Sequence, residues 1–328
     1  NAEILSDGKW GAITETASGV NYLLNVTLSK QKITVMAQIA DWDVVNATGT
    51  GSPQLVPDVT TTGPIADALK AGGMDIYKNS AVQDFTDVST TVTWDSGTGT
   101  WNYAPTIYWA GQGDASYFRA LSPSGAGTAM EQGKDVLWGY AADDAGSAYR
   151  AKVGTGEEQK ITPRTGHVPL LFEHAMTKVT IKLSTAADAA AKVDFDGATL
   201  ALTSLSTTGT LSMRDGTITS ATLKENAYTK AHAVTGSAID ALTITDGEIF
   251  IPQTISDDAR LILTLADGTT YSLTLNLCED DKGPIRAWAQ GKHYIYDITV
   301  AKEAITFRAV VKNWVEAKGN GNANLDWD

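Results

Sequence analysis

Apolar and polar residues alternate along most of this chain, and the runs are cut by glycine, proline, asparagine and aspartate. A period of two puts successive side chains on opposite faces of an extended strand, so the pattern predicts β-structure with one apolar face. Near the end, Tyr294, Tyr296, Ile298 and Val300 alternate with Ile295, Asp297, Thr299 and Ala301. After "AKEA", Ile305, Phe307, Ala309 and Val311 alternate with Thr306, Arg308, Val310 and Lys312, which predicts a hairpin. "TTVTW" and "WNYAP" about "DSGTGT", and "RLILTL" and "YSLTLNL" about "ADGTT", predict two more, each reversed through glycine. In "VPLLFEHAMTKVTIKLS", Val179, Ile181 and Leu183 share one face while Lys178, Thr180 and Lys182 share the other. Leu200, Leu202 and Leu205, with the following "TTGTLSM", read as shorter strands joined by tight turns. Helical stretches are few: "PIADALKAGG", stopped by a glycine pair, and "TAADAAAK". The predicted class is all-β with few short helices.

One pattern occurs twice. "YLLNVTLSKQKITVMAQIADW" (residues 22–42) and "YIYDITVAKEAITFRAVVKNW" (residues 294–314) align without a gap at an offset of 272. From Gly11 with Gly283 to Trp42 with Trp314, eleven positions are identical, Gly19/Gly291, Tyr22/Tyr294, Lys30/Lys302 and Ala37/Ala309 among them. Alternation explains why Ile33 matches Ile305. It does not explain a glycine, a lysine and a tryptophan held at fixed spacing, so the hairpin is read as duplicated. The copies are too far apart for a solenoid.

Length and charge narrow the picture. A chain of 328 residues suggests two domains, with a break near residues 185–195. About a dozen strands with three or four inward apolar residues each could fill two sandwich cores, each fully buried residue contributing roughly 1.5–3 kcal/mol. A formal net charge of -13 repels phosphate backbones and excludes nucleic acid as the expected partner. No apolar run approaches the ~18 residues of a membrane-spanning helix. Cys278 is the single cysteine, so no intrachain disulfide can form, which is common in exported bacterial proteins too. The opening "NAEILSDGKW" has neither a basic nor an apolar leader segment, so any export signal is expected outside this chain.

Candidate chemistry is sparse. His167, His174, His232 and His293 have no metal-ligand spacing. His174 stands beside Glu173, and a hydrogen-bonded structural histidine is the expectation there rather than a catalytic pair. Cys278 ends an apolar run, on the face opposite Leu273, Leu275 and Leu277, and reads as a small residue at a strand end. No phosphate loop, dinucleotide fingerprint or nucleophile elbow is present. The acidic turns "DFDG" (Asp194 to Gly197) and "CEDD" match no full calcium loop. Two carboxylates could hydrolyse a glycoside only if the fold set them across one bond. Trp94, Trp101 and Trp109 could form a sugar platform, but cross-strand aromatic pairing is the favoured reading. Neither an enzyme nor a cofactor is expected.

Four stretches together resemble the fimbrillin family of Bacteroidetes surface proteins. They are "IYWAGQGDASYFRALSPSG" (Ile107 to Gly125), "DVLWGYA" followed by "HVPLLFEHAMTKVTIKLS", "EIFIPQT" (Glu248 to Thr254) and "GKHYIYDITVAKEAITFRAVVKNW". In the second, Val168, Leu170, Phe172, His174, Ala175, Lys178 and Val179 carry the match. The resemblance implies two transthyretin-like Greek-key β-sandwich domains, exported as a lipoprotein to the fimbrium or outer-membrane surface. It further implies assembly with other fimbrial subunits by β-strand exchange, as stalk, anchor, tip or adhesin. A host or bacterial surface glycan or protein is then an additional partner. The corresponding division is a hairpin at 1–48, a first sandwich at 49–187 and a second at 188–328. The extra hairpin is either the tail of an upstream module or a piece that fills an edge of the first domain. Ile305, Phe307, Ala309 and Val311 are the candidate donor or groove-lining residues, with Leu325 and Trp327 as anchors at a partner.

Overall fold

The computed structural model describes residues 35–39, 43–44, 64–82, 85–110, 113–142, 147–164, 167–185, 193–221, 223–231, 241–243, 247–280, 283–300 and 308–311. The first strand of the duplicated hairpin (residues 22–28) and "TAADAAAK" fall largely or wholly outside them. In the first half, the strands are β1 (Val35–Ile39), β2 (Asp43–Val44), β3 (Met74–Asn79), β4 (Thr90–Asp95), β5 (Thr100–Ala104), β6 (Tyr117–Ser122), β7 (Ala129–Glu131), β8 (Leu137–Ala141) and β9 (Val168–His174). Helix α1 (Pro64–Gly72) precedes β3 and the single turn α2 (Ser147–Arg150) precedes β9. The second half holds β10 (Thr177–Thr185), β11 (Thr199–Thr203), β12 (Thr208–Leu211), β13 (Ile218–Ser220), β14 (Tyr228–Ala231), β15 (Ala241–Thr243), β16 (Glu248–Phe250) and β17 (Gln253–Thr254). It closes with β18 (Arg260–Thr264), β19 (Thr270–Thr274), β20 (Glu279–Asp280), β21 (Gly283–Pro284), β22 (Ala287–Trp288), β23 (Lys292–Val300) and β24 (Arg308–Val311).

Among the described residues the first sheet runs β1-β9-β8-β6-β3-β4-β5. Alternation splits it into two apolar faces. Phe118 and Ala120 of β6, Ile76 of β3 and Val168, Leu170 and Phe172 of β9 enter one core with Leu69 of α1, Trp109 and Ile161. Leu121 of β6, Trp138 and Tyr140 of β8 and Leu171 of β9 enter the other. Helix α1 starts with proline at its first position and carries Asp67 in its first turn and Lys70 in its last. It ends because Gly73, at φ +65°, turns its N–H back to the Leu69 carbonyl at 2.8 Å.

The second half is a two-sheet sandwich. One sheet, β15-β10-β23-β24-β20-β21, has β23 running parallel to β10 from Lys178↔His293 to Thr185↔Val300. The other is β14-β11-β18-β19. Between them lie Val179, Ile181 and Leu183 of β10, Tyr294, Tyr296, Ile298 and Val300 of β23, and Leu200, Leu202, Leu261 and Leu263 of the facing strands. The alternations read from the sequence are the inward faces of these strands. The "VPLLFEHAMTKVTIKLS" run is cut in two, because β9 belongs to the first sheet and β10 to the second, and the chain crosses between them at Ala175–Met176.

Alternation fails at "LTLNLC". After β19 the chain tightens into a 3₁₀ turn, Leu275–Leu277. With three residues per turn, Leu275 and Cys278 fall on one side and both are buried, while Leu277 is 64% exposed. Cys278 therefore shares the core of Leu273 and Leu275 instead of facing away from them.

Candidate functional site

Two features stand out: the strands supplied by the two copies of the repeated segment, and the seam where the two halves meet. β1 lies on the outer edge of β9 and runs parallel to it, pairing Val35 with Val168, Ala37 with Leu170 and Ile39 with Phe172. Four residues on, β2 pairs in parallel with Lys292 and His293 at the start of β23. β1 and β2 thus pair with strands of both sheets, β9 of the first and β23 of the second. Parallel neighbours cannot be joined by a tight turn, and more than a hundred residues separate β1 from β9.

β24 is the equivalent strand of the second copy. It pairs antiparallel with β23, Ala309 opposite Ile298 and Val311 opposite Tyr296. On its other side Val310 pairs with Glu279 of β20. Ala309 and Val311 therefore stand in one strand, engaged along both edges. Ile305, Phe307, Leu325 and Trp327 lie outside the described residues.

Within the seam lies a buried ion pair whose hydrogen bonds are complete on the guanidinium side. Arg119 of β6 is 0% exposed at its side chain and Glu158 1%, joined at 2.6 Å. Nη1 donates to Glu158 Oε1 at 2.8 Å and to the Phe118 carbonyl at 2.9 Å. Nε and Nη2 both donate to the Arg214 carbonyl, at 3.0 and 2.8 Å. Every guanidinium N–H thus meets an oxygen, the condition for burying that charge at all. Glu158 also accepts from the Gly154 N–H at 2.6 Å, and Arg214 Nε donates to the Gly154 carbonyl. The sequence held one signal for this site: in "SYFRAL", Arg119 has the parity of Leu121 on an inward face.

His174 and Asp194 sit in structural hydrogen bonds. His174 Nδ1 donates to Asp135 Oδ2 at 2.8 Å, since a carboxylate can only accept. Neighbouring Glu173 is instead held by Arg150 Nε at 2.8 Å. A cavity of about 230 Å³ at the seam is lined by Arg150, Glu173, His174, Gln290, Gly291 and Lys292. A second, of about 570 Å³, is lined by Pro123, Ala126, Ala129, Val136, Glu131, Lys134 and Asp135. In "DFDG" Asp194 accepts from the Asp196 N–H at 3.0 Å while Phe195 is buried. No group of three metal-ligating side chains occurs among the described residues. Burial pushes the Cys278 thiol up to about 12, far from nucleophilic at neutral pH.

The three tryptophans do not form one surface. Trp109 is 2% exposed, edge-on to Phe118 at 5.7 Å with Lys78 over its ring. Trp94 and Trp101 face each other across β4 and β5, centroids 5.3 Å apart, with Lys70 of α1 4.7 Å over Trp94. They continue the inward face of Val92 and Tyr103 to the hairpin tip.

The fimbrillin-like family model matches residues 65–314. The chain is a member of the fimbrillin-like family. That family is a fimbrial one, not known for enzymes, and a fimbrial protein is exposed at the cell surface. Two solved structures share the fold. A candidate cell adhesion protein from Bacteroides uniformis aligns over 87% of this chain and 99% of its own, at 16% identity and a TM-score of 0.51. Another from Bacteroides ovatus aligns over 88% and 99%, at 15% identity and 0.54. At these identities the likeness concerns the fold alone. No curated protein sequence matched the chain. Among the described residues no helix is long and apolar enough to cross a membrane.

Proposed function

We propose that this fimbrillin-like protein is a pilus subunit or adhesin of the outer-membrane surface that joins its neighbours by β-strand exchange. The observation that carries the reading is the seat of β1. A strand from one copy of the repeated segment occupies the β9 edge, and the second copy supplies its aligned counterpart, β24 (Arg308–Val311). No tight turn ties β1 to β9, so the same ladder would accept the equivalent strand of a neighbouring molecule. At the offset of 272, Phe307, Ala309 and Val311 of the incoming chain would face Val168, Leu170 and Phe172. Backbone hydrogen bonds supply affinity in such an addition and alternate side chains supply selectivity. Ile305, Phe307, Ala309 and Val311 are the proposed donor residues, and Leu325 and Trp327 the anchors beyond them.

The test is to trim the purified chain with a trypsin-like protease, concentrate it and run unboiled gels. A detergent-resistant ladder that vanishes when residues 305–328 are deleted is expected. A lone monomer band under all conditions sinks the reading. A second reading, glycan binding, rests on the Trp94–Trp101 pair near the hairpin tip, now without Trp109. Replacing both by alanine abolishes polysaccharide retention under that reading and leaves it unchanged under the first.

A further inference from the structure

We propose that the β12–β13 hairpin is a clasp that locks the two halves of this chain into one cooperative unit with a single relative orientation. Its tip, Met213 to Gly216, presents four consecutive carbonyls, and each accepts a hydrogen bond from a side chain outside the hairpin. The Met213 carbonyl accepts from Trp138 Nε1 at 3.3 Å. Arg214 accepts from Arg119 Nε at 3.0 Å and Nη2 at 2.8 Å. Asp215 accepts from Arg150 Nη2 at 3.2 Å and Gly216 from Gln290 Nε2 at 2.8 Å. A hairpin tip ordinarily leaves its carbonyls to water. Here Trp138 and Arg119 reach in from the first sheet, Arg150 from α2 and Gln290 from the approach to β23, so the tip holds both halves at once.

The fit leaves no room for another residue. Gly216 has φ +78°, and a Cβ added there would lie 2.5 Å from Cε3 of Trp138. The indole therefore packs against bare backbone. Behind the tip, Leu211 and Met213 join Leu121, Met130, Trp138 and Tyr140 in one core, together with Ile251. β7 from the first half completes the clasp by pairing with β12, Gly209 opposite Met130. The second face of the first sheet is thus covered by a hairpin that the chain makes only after crossing into the second half. Each half has a core of its own, but this third core is shared between them, and cooperative units follow shared cores more closely than sequence boundaries.

Scanning calorimetry with hydrogen exchange on the full chain tests this. The wild type is expected to melt in one transition whose calorimetric and van't Hoff enthalpies agree. Under conditions where global opening governs exchange, the slowest amides of β6 and β8 should then exchange at the same rate as those of β11 and β18. Gly216→Ala is expected to split the transition and to speed exchange in β6 and β8 at least about tenfold while β11 and β18 hold. If that variant does not fold, Trp138→Phe combined with Gln290→Ala removes two donors without adding bulk and carries the same expectation. Two separate transitions in the wild type overturn the proposal. So does a folded variant that keeps one transition and equal exchange in both halves.

Discussion

At the scale of single residues, the strongest commitments are charges placed where water cannot reach. Removing Arg119 as Arg119→Met leaves the Glu158 carboxylate buried without its main partner, a change that costs about 3–5 kcal/mol in comparable ion pairs. Replacing both, as Arg119→Met with Glu158→Gln, removes the orphaned charge and should recover a large part of that loss. Urea denaturation of the four proteins of the cycle measures both numbers, and a double variant as unstable as the single one would refute the account. Asp114 makes a milder case. Burial raises its carboxyl, but the Ala110 N–H at 2.7 Å, Lys78 at 2.6 Å and Ser116 at 3.0 Å outweigh that and lower it below 3.8. A group depressed on folding adds stability above its unfolded value and loses it as pH falls through the folded one. The Asp114→Asn variant should therefore lose less stability than the wild type on acidification below about pH 4, where an ordinary aspartate begins to bind its proton. Parallel pH titrations of the melting temperature decide it. Arg119 stood in the sequence at an apolar parity, so a buried charge was legible there. Its partner Glu158 was not, because nothing local distinguishes "GEEQK" from any exposed turn.

At the scale of elements, close approach of strands is set by the smallest side chain between them. Gly139 of β8 pairs with Phe172 of β9 and Ala120 of β6. A Cβ at Gly139 would lie 2.9 Å from two Phe172 ring carbons and 3.2 Å from the Ala120 Cβ. Gly139→Ala should therefore cost about 1–3 kcal/mol by overpacking, in spite of alanine's better strand propensity. Adding Phe172→Leu should relieve part of that cost, and chemical denaturation shows whether the pair couples. The hairpins β4–β5 and β18–β19 and helix α1 were legible because each is specified by neighbours in sequence: alternation, a glycine turn, a proline start and a glycine stop. The β10–β23 pairing joins strands over a hundred residues apart, and the β1–β9 pairing likewise. No local pattern names a remote neighbour, so only the assembled sheets revealed them. At "LTLNLC" the sequence misled, because an i, i+3 turn and a strand share the same apolar composition.

On the scale of the whole molecule, the net charge of -13 bears on assembly. Under the strand-exchange reading two copies must meet against mutual repulsion, which is felt over about 30 Å at 0.01 M salt and about 8 Å at 0.15 M. The rate at which the protease-trimmed chain forms its ladder should rise with added salt, and time-resolved gels would show it. A ladder already formed should survive return to low salt, since backbone hydrogen bonds and buried apolar residues carry it. A rate that falls with salt would point to joining through opposite charges at the ends instead.

The alternation, the glycine turns and the duplicated hairpin determined an all-β chain with sheets of predictable inward faces, and four motifs in order carried the family. These depend on periodicity and on residues close in sequence, which a linear reading can see. Tertiary structure alone decided that β9 and β10 part into different sheets, that β1 sits parallel on β9, and that Trp109 is core. It also decided that a turn at residues 213–216 closes over Arg119 and Trp138. Each of those depends on which distant surfaces meet, and the free energy of a long-range contact belongs to the pair of surfaces, not to either segment by itself.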